Sequence, residues 1–112
     1  MSATGAPSPE ALDEIVRRIV AIAQPDKIIL FGSAARGAMD RDSDLDLLIV
    51  KRGPVHRRNL AGDIYMNIGD VPYPIDVIVV TPEDVDRYKD SHALVIAPAL
   101  REGRVIYDSG AL

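Results

Sequence analysis

Three aspartates carry the chemistry this sequence could do. Asp44 and Asp46 lie two apart in the run Asp44-Leu45-Asp46-Leu47-Leu48-Ile49-Val50, whose apolar residues predict a β-strand. Side chains two apart on a strand leave the same face, with Cα atoms about 6.6 Å apart. Both carboxylates can then reach one ion, while Leu45 and Leu47 point the other way into a core. Asp76 is the lone acid in a second apolar run, Ile75 to Val80. A carboxylate embedded in such a strand is costly without a partner. Three converging carboxylates also repel, a pair about 4 Å apart by about 4 kcal/mol at an effective dielectric of about 20. No lysine or arginine lies inside either run. A hard divalent cation would neutralise the cluster, and oxygen-only ligands select Mg²⁺ or Mn²⁺ over Zn²⁺. Each acid has a plainer use when taken singly: Asp44 as a cap, Asp46 as a solvent-facing strand residue, Asp76 as a satisfied edge acid.

Gly32-Ser33 offers a second kind of chemistry. The pair follows the β-branched and aromatic run Lys27–Phe31, which predicts a buried strand, and opens a short helical stretch closed by Gly37. Free N–H groups at such a turn attract an anion. Gly32 would let a phosphate approach the backbone, and Ser33 would add a hydroxyl donor. The alternative is an ordinary turn with Ser33 as N-cap. Arg36 could reach a phosphate or could pin the following loop by pairing with Asp40, Asp42 or Asp44. Lys51, Arg52, His56, Arg57 and Arg58 form the one basic cluster, either a solvated helix start or a contact surface for an acidic partner. Tyr65, Tyr73, Tyr88 and Tyr107 are scattered, as core or interface residues are.

The elements that must position these groups are legible in order. Residues 1–7 are small and polar and read as a disordered tail. Ser8-Pro9-Glu10 is a helix start, and Leu12, Ile15, Val16, Ile19, Ile22 and Ala23 follow at helical spacing up to Pro25-Asp26. After the strand at Asp44–Val50, a helix is predicted over about 56–68. A strand follows over 73–80, with its prolines at the start. Thr81-Pro82-Glu83-Asp84 repeats the cap-Pro-acid pattern. A helix over about 91–102 contains Pro98, and Val105–Tyr107 is a last short strand. The order α-β-α-β-α-β-α-α-β predicts an α/β (α+β) fold, a mixed sheet of about four strands packed against helices, with residues 8–112 as one domain.

Composition sets outer bounds. The chain has 112 residues, 47% of them hydrophobic and 27% charged, as in folded globular domains. It lacks cysteine, which removes thiolate ligands and nucleophiles and fits a cytoplasmic protein. No apolar run approaches the roughly 20 residues of a membrane span, and no signal peptide is visible. A net charge of −4 argues against direct nucleic-acid binding and against an anionic membrane.

Gly32-Ser33, ten residues, Asp44-Leu45-Asp46 and then Ile75-Asp76-Val77 together resemble the signature of the DNA polymerase beta-like nucleotidyltransferase superfamily. The stretches Leu30–Gly37 and Ser43–Val50 look like its minimal nucleotidyltransferase (MNT) branch, and the resemblance runs from about Ser8 to Tyr107. It implies a palm-like mixed sheet and Mg²⁺-dependent transfer of a nucleoside monophosphate from an NTP, with two ions. Carried over by position, Gly32, Ser33 and Arg36 hold the nucleotide, and Asp44 and Asp46 hold the metal. Asp76 completes the metal site or acts as base. In this branch the partner is a helical HEPN toxin, and the MNT chain is the antitoxin, able to transfer AMP from ATP to a toxin tyrosine. A protein adenylyltransferase working in a hetero-oligomer is therefore the leading expectation. A non-catalytic antitoxin and an enzyme acting on a small hydroxylated molecule such as an aminoglycoside are the alternatives.

Overall fold

The computed structural model describes residues 5–40, 42–88 and 96–111. Its elements follow the predicted order: α1 (Pro9–Ala23), β1 (Lys27–Phe31), α2 (Gly32–Ala35), β2 (Leu45–Val50), α3 (Arg57–Asn67), β3 (Ile75–Val80), α4 (Pro82–Tyr88), α5 (Ile96–Glu102) and β4 (Arg104–Asp108). One four-stranded sheet runs in the order β3-β2-β1-β4. β1 is antiparallel to both β2 and β4, while β2 and β3 are parallel, joined through α3. The fold is the mixed α+β arrangement that the element order predicts.

Strand alternation sorts the core into two layers. Ile28, Leu30, Leu45, Leu47, Ile49, Val77 and Val79 pack with Leu12, Ile15 and Ile19 of α1 and Ile64 and Ile68 around α3. The intervening residues Ile29, Leu48, Val50 and Val80 pack with Ala99 of α5 on the other face, flanked by Phe31, Ile78 and Val85. Leu45 and Leu47 are fully buried, opposite to Asp46 in parity, as the Asp-x-Asp spacing requires.

Local signals explain most boundaries. Ser8 caps α1 by accepting from the Ala11 N–H, with Pro9 at the first helical position. Gln24 takes a left-handed conformation at the C-cap (φ 48°), and its N–H donates to Val20. Thr81 and Asp84 form a reciprocal capping box: the Asp84 N–H donates to Thr81 Oγ1 (3.1 Å) and the Thr81 N–H to Asp84 Oδ2 (3.0 Å). α3 starts one residue later than predicted because His56 is its N-cap, Nδ1 accepting from the Asn59 N–H.

Two expectations need adjustment, and a third lies partly outside the described residues. β2 begins at Leu45, whose N–H donates to the Pro74 carbonyl (2.9 Å), so Asp44 precedes the strand. The tail expected over residues 1–7 is held where it is described. Gly5 and Met39 exchange backbone hydrogen bonds of 2.7 and 2.9 Å, and Pro7 is buried. Residues 1–4 lie outside the described residues. So does the 91–95 portion of the helix predicted over 91–102. Pro98 lies within α5 as described, and its effect on the preceding turn falls outside the described residues. Among the described residues no helix is long and apolar enough to cross a membrane.

Candidate active site

The strand directions bring the chemistry-bearing residues to one rim. β1 ends at Phe31 where β2 and β3 begin, since β1 runs against β2 and β3 runs with it. In register, Phe31 pairs with Asp46 and Asp46 pairs with Asp76. Paired residues on adjacent strands project on one face, about 4.8 Å apart. Asp46 and Asp76 therefore stand side by side, each the second residue of its strand. Their parity is that of Leu48, Val50, Ile78 and Val80, which α4 and α5 cover farther along the sheet. At the rim the cover ends: Asp76 is exposed and Asp46 half-buried.

The burial expected for Asp76 is not found. Its run of apolar neighbours suggested an embedded carboxylate. Asp76 sits instead at the exposed opening of an edge strand, so desolvation is not what makes it costly. Asp44 is exposed as well. The electrostatic tension falls on Asp46. Partial burial, then the neighbouring Asp76 and Asp44 carboxylates, hold its pKa above the ordinary carboxylate range, and the Arg36 guanidinium pulls weakly the other way.

Gly32 closes the other side of the site. It adopts φ +73°, a left-handed conformation that side chains disfavour. A Cβ placed there would collide with Asp46 Oδ2 and lie 3.1 Å from its Cγ. The backbone of the bend thus lies against the Asp46 carboxylate, and only glycine permits that approach. The bend opens α2 with Phe31 at the N-cap and no side-chain cap bond, so Ser33 is a residue of the first turn and not the cap. Arg36 ends α2, but its partner is none of Asp40, Asp42 or Asp44. Nη1 lies 3.4 Å from Glu102 Oε1 at the end of α5. Asp40 folds its own loop, accepting from the Asp42 N–H and the Ser43 hydroxyl.

The donor set fits a hard cation: carboxylate oxygens alone, with one of them half-buried among like charges. As the side chains stand, no three His, Cys, Asp or Glu groups among the described residues are close enough to share one ion. Asp46 and Asp76 stand in register on adjacent strands. Asp44 is near enough to act on Asp46 through its charge.

The basic cluster is mostly committed to structure. Lys51 Nζ donates to the Gln24 carbonyl (2.8 Å), Arg52 pairs with buried Asp26 (3.1 Å), and Arg57 pairs with Asp84 (2.6 Å). Two tyrosines also have specific tasks. Tyr73 Oη accepts from the Ser8 N–H, and Tyr65 Oη accepts from the Val77 N–H. Neither pairing had a local signal, because the partners are 65 and 12 residues apart. The side chain of Tyr88 lies outside the described residues.

Comparison with known proteins agrees with this geometry. Residues 11–106 match the family described as the nucleotidyltransferase domain. No curated protein matches the sequence. A crystal structure named as that of "a putative nucleotidyltransferase from Sulfolobus solfataricus" is similar in fold, with a TM-score of 0.60 at 20% identity, over 91% of this chain and 81% of the other. A family match that takes in β1, β2, β3 and the start of β4, with the paired acids and the glycine bend inside it, means that this chain belongs to the nucleotidyltransferase domain family.

Proposed function

We propose that the chain transfers AMP from ATP to a hydroxyl of a partner protein, most specifically a tyrosine of a helical HEPN toxin, and so acts as the antitoxin of a cytoplasmic pair. The observation that carries the enzymatic part is the in-register pair Asp46 and Asp76 against the Gly32 bend. In this reading Asp44, Asp46 and Asp76 hold divalent metal, Mg²⁺ or Mn²⁺. Bound metal supplies charge neutralisation for the attacking and leaving oxygens. Amides of the Gly32-Ser33 turn and the Ser33 hydroxyl donate to phosphate oxygens. Arg36, once released from Glu102, adds positive charge. The incoming hydroxyl oxygen attacks the α-phosphorus, the bond to the β-phosphate bridging oxygen breaks, and pyrophosphate leaves. The hydroxyl proton passes to Asp76 or to water. Positioning and neutralisation do most of the work in such a transfer.

The uncovered rim around Asp76 supports an acceptor supplied by another molecule. The test is incubation with ATP, Mg²⁺ and the helical protein encoded beside this chain, read by intact mass. Mass gains in multiples of one AMP on the partner are expected, and none when Asp44→Asn and Asp46→Asn are combined. A partner that is unmodified, yet silenced by the double variant as well as by wild type, would replace this reading with that of a binding antitoxin. The observation that favours this second reading is that, among the described residues, no three acids stand close enough to share one ion.

A further inference from the structure

We infer that Tyr65 is a positioning residue for Asp76. β3 is an edge strand, and among the described residues one side of its backbone has no neighbouring strand. Amides along a strand alternate between its two sides. The Val77 N–H donates to Tyr65 Oη at 2.6 Å, and Tyr65 belongs to α3, not to the sheet. Val77 therefore faces the free edge, and its neighbour Asp76 faces β2, where it pairs with Asp46. The first residues of β3 are thus gripped from both sides, by the β2 ladder and by a tyrosine hydroxyl.

That grip falls where it bears on the chemistry. Asp76 is the second residue of β3 and exposed, so little packing fixes it. Strand ends fray, and an edge strand frays soonest. Tyr65 is 47% exposed, a wasteful place for a large ring unless its hydroxyl has a task. Ile64 beside it is fully buried and anchors the helix, so the ring is presented from a rigid base. Met66, next along and 84% exposed, makes no comparable contact among those described and serves as the internal control.

The inference rests on the proposed metal-dependent transfer, and its test separates the two. Tyr65→Phe keeps the ring and removes the hydroxyl; Met66→Ala changes a neighbouring side chain. In metal-free protein, Tyr65→Phe should speed hydrogen exchange at the Val77 amide and shift or broaden the Asp76 side-chain carboxyl ¹³C resonance. Met66→Ala should do neither. With Mn²⁺ as the probe, counted by electron paramagnetic resonance of the free ion, Tyr65→Phe should weaken binding about five-fold, the worth of one hydrogen bond of about 1 kcal/mol. A purely structural role would lower the unfolding midpoint and leave the Asp76 resonance and Mn²⁺ affinity unchanged, and that result overturns the inference. Failure of wild type itself to bind Mn²⁺ defeats the proposed metal site instead. The Asp76 resonance still decides on Tyr65 in that case.

Discussion

Replacing Gly32 by alanine tests the closest contact in the site. The new residue would have to hold φ near +73°, which costs a side-chain-bearing residue about 1–2 kcal/mol. Its Cβ would also displace Asp46 Oδ2, and moving that carboxylate off its rotamer costs about 1 kcal/mol more. The sum, about 2–3 kcal/mol, is a large share of the roughly 5–15 kcal/mol that holds a domain folded. Urea unfolding should show a midpoint lower by about 1–2 M at the slopes usual for small proteins. The two contributions separate in a double-mutant cycle with Asp46→Ala, which removes the carboxylate but leaves the backbone strain. Gly32→Ala should then cost about 1 kcal/mol less in the Asp46→Ala background than in wild type. Equal costs in both backgrounds would refute the contact between the bend and the carboxylate. A neutral Gly32→Ala would refute the left-handed conformation itself.

Other perturbations have equally definite outcomes. Asp46→Asn should stabilise the metal-free protein at neutral pH, because a carboxyl whose folded pKa is raised destabilises the fold once ionised. Its gain should vanish in acid below the ordinary aspartate range, where both states hold the proton. Partial burial of the carboxylate, then repulsion from Asp76 and Asp44, sets the direction of the gain, and a loss of stability at neutral pH would contradict the charge argument. Ile15→Ala, at a site with no exposure, should cost about 3 kcal/mol and lower the Tm by more than about 10 °C. Thr81→Ala removes the acceptor of the Asp84 N–H and should cost about 1 kcal/mol by chemical denaturation, with no change in Mn²⁺ binding.

How far the sequence foretells this structure depends on the range of each interaction. Ser8-Pro9 and Thr81–Asp84 announce helix starts because the cap and its amide are three residues apart. The alternation of Leu45 and Leu47 with Asp46 predicts which face is buried, since side-chain parity is a local property of a strand. Asp76 misleads for a related reason. Apolar neighbours in sequence report burial only in the middle of a strand, and Asp76 stands at the opening of one on the sheet edge. Arg36 has three acids within eight residues and pairs instead with Glu102, 66 residues away. Helix α5 returns to the rim through packing that no spacing rule encodes. The need for glycine at position 32 is likewise invisible until β2 lies beside β1.

The exchange of backbone hydrogen bonds between Gly5 and Met39 ties the leading segment of the chain to the loop joining α2 and β2. That loop separates the Gly32 bend from Asp44. An affinity handle fused ahead of Ser8 extends the segment that carries this contact, and trimming back to the first helix removes it. Preparations differing only at the amino terminus should therefore differ in how crisply the loop is set. Assays of nucleotide or metal affinity are best compared between samples with identical leading residues.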